Sequence, residues 1–278
     1  MADLPELLQL EDLGEGRYRL PVPAEDPEGR DVVFSGQLLG QMLVASELHG
    51  GTDKDAKSIH AVFLRAGSYQ KPYELTVEPM LAGRTWASDT VTGWQDGKVM
   101  TRATILRSID DPDLMRHQPP MPDVPKPADL EPAPFQAFPG AEVRKVPPGP
   151  DEDGVPVLSV WHRGAATGPT VAANQAVLIW ATCGELIGLA MRPHRDQVRI
   201  DQAHVSISTG VMGHTVSFHE RFDAAEWLLI HQEATYAGRG RINGYGWVFA
   251  EDGRLVATFT QDAMARNVQG ALDPRRSM

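Results

Sequence analysis

The sequence predicts an α+β fold built twice, with two helices each wrapped by an antiparallel sheet in tandem copies along one chain. Three observations predict it. The stretch Thr170 to Ala190, TVAANQAVLIWATCGELIGLA, is apolar almost all round, so it needs other elements on every side. After it, strand patterns follow one another with no second helix between them, as in a sheet curled around a helix. The punctuation of these elements also occurs earlier in the chain, which marks an internal repeat.

The elements in order bear this out as an expectation. Residues 7 to 22 alternate loosely and end in Pro21 and Pro23, reading as an entering strand and a loop. Phe34 to His49 carries Leu38, Leu39, Met42, Leu43 and Ala45 at helical spacing, and Gly50-Gly51 ends it. Strand patterns follow at Ser58 to Leu64, Tyr73 to Leu81, Thr85 to Trp94 and Val99 to Leu106. Asp96-Gly97 between two alternating runs is a strong hairpin signal. From Pro112 to Pro156 the periodicity is lost and 13 of the 22 prolines occur, so this span reads as an extended linker. The helix from Thr170 has Thr167 or Gly168 as its cap and Pro169 in its first turn. The strands after it are His214 to Phe222, Trp227 to Thr235, Arg239 to Phe249 and Leu255 to Gln261.

Ala82-Gly83-Arg84 returns as Ala237-Gly238-Arg239, Gly93-Trp94 as Gly246-Trp247, Asp96-Gly97 as Asp252-Gly253, and Glu47-Leu48 as Glu185-Leu186. An extra segment sits near Arg192 to Val205 of the second copy. The expected division is an N-terminal unit at 1–110, a proline-rich linker at 111–154, a C-terminal unit at 155–270 and a tail at 271–278. A single copy would leave sheet edges open, so the two should pair.

Composition excludes several classes. A net charge of -11 on 278 residues argues against a nucleic-acid surface. The single cysteine, Cys183, rules out an internal disulfide framework and fits a reducing compartment. The first residues lack the basic and apolar regions of a signal peptide, the last four (RRSM) are not a peroxisomal signal, and the apolar helix is interrupted by Asn, Gln and Glu. The expectation is a cytoplasmic protein without a membrane span. No Cys/His cluster has metal spacing, no glycine-rich phosphate loop follows a strand, and no nucleophile elbow appears, so neither metal nor cofactor is expected.

The copies differ most in their last strands. Counting from the Asp-Gly turns, Ile105 corresponds to Gln261. With period two, Gln261 shares a face with Leu255, Ala257 and Phe259, where its amide must find partners or cost about 1–3 kcal/mol. It is either a satisfied core amide or a group that positions a water or a carbonyl oxygen. Cys183, opposite Ala45, reads as a buried inert thiol. Glu185 points about 200° away from it on the helix. His214 and His219 flank a strand and are candidates for structural or site roles.

With these residues laid out, the chain resembles the bacterial acyl-CoA thioesterase II family of double-hotdog enzymes. The resemblance rests on Phe34-Ser35-Gly36-Gln37 with Gly40-Gln41, on Ile59 to Gly67 (including His60), and on Gly83-Arg84. In the second copy it rests on Phe218-His219, Glu226-Trp227-Leu228-Leu229, Gly238-Arg239-Gly240, Asp252 to Ala257 and Gln261-Asp262. It spans about residues 5 to 268. It implies hydrolysis of acyl-CoA without a covalent intermediate, by a water held between an Asp, a Thr and a Gln, in a homo-oligomer. The Gln falls on Gln261, the Asp on Cys183 and the Thr on Val211. A His is kept as His214, while an Asp before it is Gly213 here. Losing a general base costs about 10²–10⁴-fold. Thr209 is a candidate substitute hydroxyl, and His60 a candidate substrate contact. A rival reading is a non-catalytic acyl-CoA-binding or scaffolding protein. A third, a double-hotdog enoyl-CoA hydratase, would need an Asp and a His on an overhanging loop, a pair not found in this sequence.

Overall fold

The computed structural model describes residues 4–21, 31–134, 140–148, 154–164, 170–196, 198 and 207–267. The first half runs α1 (Leu4–Leu7), β1 (Glu11–Gly14), β2 (Arg17–Arg19), α2 (Ser35–Gly50), β3 (Asp55–Phe63), β4 (Glu74–Ala82), β5 (Trp86–Gln95) and β6 (Lys98–Ser108). The second runs β7 (Glu142–Lys145), β8 (Val157–Arg163), α3 (Val171–Thr182), α4 (Leu186–Met191), β9 (Ile207–Phe218), β10 (Leu228–Gly238), β11 (Arg241–Ala250) and β12 (Leu255–Asn267). The described strands form one twelve-stranded sheet in the order β1-β2-β4-β5-β6-β3-β9-β12-β11-β10-β8-β7. At its centre β3 and β9 pair antiparallel, with Ile59 opposite Val216 and His60 opposite Thr215. Each copy thus closes the other's open edge, and the two share one apolar core.

Helices α2 and α3 pack against each other on one face of that sheet. Gly40 lets them approach closely, since a β-carbon there would stand 3.0 Å from the Ala176 methyl. Both helices are apolar on most sides because one flank meets sheet and another meets the partner helix. The chain from Val171 to His194 is long and apolar enough to cross a membrane, but 67% of its most apolar stretch is buried inside the fold. It is a core element.

The turns follow local chemistry. Asp96 and Gly97 both have positive φ (49° and 70°), the backbone of a tight two-residue hairpin. Arg239 and Gly240 do the same (52° and 74°), so β10 and β11 join directly, with Gly238 opposite Arg241. In the first copy Thr85 follows Arg84, and the β4–β5 connection is longer, closing at Ala82 opposite Ala87.

Several expectations need correction. The helix expected over Thr170 to Ala190 is two pieces: α3 ends at Thr182 with Cys183 as its cap, Gly184 follows, and α4 resumes at Leu186. Its cap is Thr170, whose hydroxyl accepts from the Ala173 N–H at 3.1 Å; Thr167, Gly168 and Pro169 lie outside the described residues. The single entering strand is a short helix and a hairpin, turned at Gly14-Glu15-Gly16 by three consecutive positive φ angles. Strands β7 and β8 were not expected; β8 is short, and its pairing with β10 overrides a weak local pattern. Most of the extra segment near Arg192 to Val205 lies outside the described residues.

The proline-rich span is also more than a tether. Trp161 donates its indole N–H to Pro125 O at 3.0 Å, and Gln118 bonds both Gly253 O and the Leu255 N–H. Leu130, Met121 and Val124 pack with Trp161, Leu229, Phe249 and Leu255 into a separate apolar cluster. In the second half, the helices cover one face of the sheet and this span covers part of the other.

Candidate active site

Gln261 on β12 is 1% exposed and points to the helix side, between Gly244 on β11 and His214 on β9, its direct ladder partners. Gly244 leaves no room for a side chain, since a β-carbon there would lie 2.3 Å from Glu233 O and 2.5 Å from Leu186 Cδ1. Leu186 at the start of α4 therefore closes one side of the amide. In the first copy the same ladder positions are Ile59, Ile105 and Asp89. There the two isoleucines are fully buried and apolar. The polar group on this rung of the first copy is Asp89, buried and bonded to Ser46, whereas the second copy places its polar groups at the two isoleucine positions.

The polar groups are arranged specifically. Thr182, at the end of α3, donates its hydroxyl proton to Ile179 O at 3.0 Å. Its oxygen therefore accepts from His214 Nε2, also at 3.0 Å. This assigns the proton to Nε2 and leaves Nδ1 as a buried acceptor without a partner. Both amide atoms of Gln261 are likewise unpaired. Among the described residues, three buried polar atoms on adjacent strands thus face the interior with nothing bonded to them. Burial pushes His214 down to about 3, so its ring is neutral at physiological pH. A neutral imidazole acceptor beside an amide that can donate or accept fits a water and a carbonyl oxygen.

Bulges flank this spot. On β9 the register slips at Met212, so Asp262 faces Gly213 while Ala263 faces Val211. On β10 both Ala234 and Thr235 lie opposite Gly244. Bulges are frequent beside active sites, where they re-aim side chains.

Of the residues singled out in the sequence, the structure unites Gln261 and His214. Cys183 does not join them. One helical step, about 100°, separates it from Thr182. It packs on the start of α2, bonded to Ser35, with a β-carbon on Gly36 standing only 3.0 Å from its own. Burial pushes its thiol up to about 12. Val211 is half-buried against the central core, opposite Ala263. Thr209 pairs with Ala265, four residues beyond Gln261, or about 13 Å along a strand; it cannot reach the same water. His60 lies on the other side of the sheet, since Ala61 next to it points inward. It sits with Thr215, Arg102 and Asp262 in an open groove of about 690 Å³, its Nδ1 3.3 Å from Thr215 Oγ1. His219 bonds Thr258 at 3.1 Å and is exposed. The residue that sequence reasoning missed is Thr182. The available signal was a hydroxyl in the apolar second half of that helix, which must find a partner. Glu185 pairs with Lys145, whereas Glu47 accepts from the Ala172 N–H, so the two matching glutamates have different jobs.

Two helix-and-sheet units fused through a central strand pair, with the buried His214–Gln261 pair in one of them, define a double-hotdog protein. A hot dog fold protein from Alicyclobacillus acidocaldarius superposes with a TM-score of 0.71 over 95% of this chain and 97% of that one, at 22% identity. Family profiles then place the chain. Residues 23–108 match the acyl-CoA thioesterase N-terminal domain and residues 115–265 the acyl-CoA thioesterase C-terminal domain. The chain belongs to the acyl-CoA thioesterase family. Human acyl-coenzyme A thioesterase 8 is 28% identical, covering 92% of this chain and 85% of its own. The acyl-CoA thioesterase II TesB2 of Mycobacterium marinum is 26% identical with a TM-score of 0.80, over 96% of this chain and 98% of that one.

Proposed function

We propose that this protein hydrolyses the thioester of fatty acyl-CoA at the Gln261–His214 centre, giving a free acid and CoA. The observation that carries the assignment is the replacement of the buried pair Ile59 and Ile105 by His214 and Gln261, with three polar atoms left unpaired. A water donating to His214 Nδ1 is held with its oxygen lone pair toward the carbonyl carbon. The Gln261 amide N–H donates to the oxygen on which charge develops, an interaction of the kind worth about 10²–10³-fold. Attack breaks the carbonyl π bond; collapse of the tetrahedral adduct expels the CoA thiolate. The water's proton leaves through Nδ1 and protonates the thiolate. A ring whose pKa lies near 3 orients a water well but removes its proton poorly, so turnover is slow for the family.

Two further features belong to this reading. The single cysteine, free and buried, supports a reducing, cytoplasmic setting, and the acyl-CoA substrate of this reading supports a place in fatty-acid metabolism. Val62, Leu64 and Met212, exposed at the middle of the sheet's outer face, support association of subunits into a homo-oligomer. One observation favours the rival, a non-catalytic acyl-CoA binder: among the described residues no carboxylate bonds the Gln261 amide. The test is release of free thiol from acyl-CoA of several chain lengths against an enzyme-free blank. Hydrolysis that drops at least about tenfold in Gln261→Leu is the expected result. Binding with no turnover above the blank at any chain length selects the rival.

A further inference from the structure

Open grooves on the described surface differ in charge. The groove with His60 and Arg102 also holds Asp262. A second, near the start of β3, mixes four cations with five carboxylates. There Arg221 pairs with Asp55, Lys57 with Asp110, and Arg116 with Asp113 and Glu220. A third lies between the end of α4 and the far ends of β10, β11 and β12. It has a volume of about 440 Å³ and apolar walls, including Met191, Ile207 and Ile242. Its rim carries Arg241, Arg266 and His194, and among the described residues its lining contains no carboxylate. Neither arginine makes an ion pair among the described residues, whereas Arg17, Arg19, Arg107, Arg163, Arg221 and Arg254 do. The Arg266 stem lies across Gly240, where a β-carbon would be 3.4 Å from its Cγ, bringing its guanidinium to the turn that leads into Arg241. In a chain of net charge -11, two unpaired guanidinium groups at one apolar mouth form a local site for an anion.

We infer that this groove binds the phosphorylated nucleotide end of CoA, with Arg241 and Arg266 on its phosphates. The inference rests on the thioesterase reading for the identity of the ligand. Its position suits that ligand. Ala190 and Ile242 belong both to the groove and to the apolar layer that contains Leu186 and Ala263, next to Gln261. From Gln261 to Arg266 is five residues of β12, about 16 Å at strand rise, comparable to an extended pantetheine arm. The phosphates at one end and the thioester at the other would then both be held, with the arm along the apolar layer. Arginine suits phosphate because its planar fork donates two parallel hydrogen bonds.

Calorimetric titration of the full chain with CoA, dephospho-CoA and pantetheine, at low and high salt, tests this without relying on turnover. Expected affinities fall in that order, and CoA binding weakens as salt rises. Arg241→Ala with Arg266→Ala weakens CoA about tenfold and flattens the salt dependence, whereas Arg241→Lys with Arg266→Lys keeps most of both. Arg84→Ala, at the matching turn of the first copy and outside the groove, serves as a control with unchanged CoA affinity. The inference is overturned if the double alanine variant binds CoA like wild type, or if pantetheine loses affinity as much as CoA does. It is also overturned if wild type binds no CoA, or if the variant loses an acidic acyl carrier protein while keeping CoA. CoA binding through these arginines with no hydrolysis of any thioester supports the groove and refutes only the hydrolase reading.

Discussion

Transplanting the first copy's residues into the second isolates what the buried polarity is for. The variant His214→Ile with Gln261→Ile recreates the Ile59–Ile105 pair on the equivalent ladder rung. It removes three buried atoms that have no partner, Gln261 Oε1 and Nε2 and His214 Nδ1. Each unpaired buried group costs about 1–3 kcal/mol. Against this stands one lost hydrogen bond, Thr182 to His214, worth about 1 kcal/mol, while the Thr182 hydroxyl keeps Ile179 O. Isoleucine has nearly the volume of either side chain, so no cavity opens. The variant should be more stable than wild type by about 2 kcal/mol, a rise in Tm of about 4–8 °C for a chain of this size. Acyl-CoA hydrolysis should fall to the blank rate. Urea titration gives the first quantity and thiol release the second. A variant with a lower urea midpoint, or one that still hydrolyses acyl-CoA, would show that these polar groups are structural and that the catalytic centre lies elsewhere.

Acid should destabilise the fold through its buried histidines. His162 on β8 is fully desolvated with both ring nitrogens unpaired, and burial pushes it down to about 4 from 6.5. The unfolded chain binds the proton first, so this stability is present above about pH 6.5 and is lost as pH falls towards 4; it amounts to about 3 kcal/mol. His162→Leu should flatten the urea midpoint against pH between 4 and 6.5, and an unchanged slope contradicts the assignment. Cys183→Asp with Val211→Thr, the change suggested by the family resemblance, should not accelerate hydrolysis, because position 183 faces Ser35 and Gly36; a tenfold gain would mean that the helix end is placed wrongly. Asp89, the first-copy counterpart of Gly244, accepts from Ser46 at 2.5 Å and lies 3.3 Å from Arg107 Nε, an ion pair whose geometry falls short of a hydrogen bond. Asp89→Ala would leave that guanidinium buried without its ion-pair partner, held among the described residues only by Gly51 O, and should cost about 3–5 kcal/mol by urea unfolding.

The repeat was legible because it is carried by local chemistry. Asp-Gly turns, helical spacing in 34–49 and the apolar run from Thr170 each act within a few residues; the first two survive in the structure, and the third does so as two helices parted at Gly184. What failed depends on contacts distant in sequence. Strand β8 exists because β10 offers it a partner 70 residues away, and the proline-rich span folds onto Trp161 because that indole and the faces of β10, β11 and β12 needed covering. Neither fact has a signature in the segment itself.

The site divides along the same line. Period-two counting on β12 was enough to put Gln261 on the helix side, because strand alternation is rigid. Carrying roles across by resemblance went astray on the helix, where one residue of offset turns a side chain by about 100° and moves it from the sheet to the neighbouring helix. Thr182 and Cys183 are adjacent in sequence, yet the first holds His214 and the second holds Ser35. The centre that results has a donor and an acceptor, but its base is an imidazole that burial keeps neutral. Its rate should therefore depend little on pH between about 5.5 and 8, since the imidazole has no titration there. A profile rising through an inflection near 6.5 would mean that a solvated histidine or another group supplies the base, and would remove His214 from the mechanism while leaving Gln261 in place.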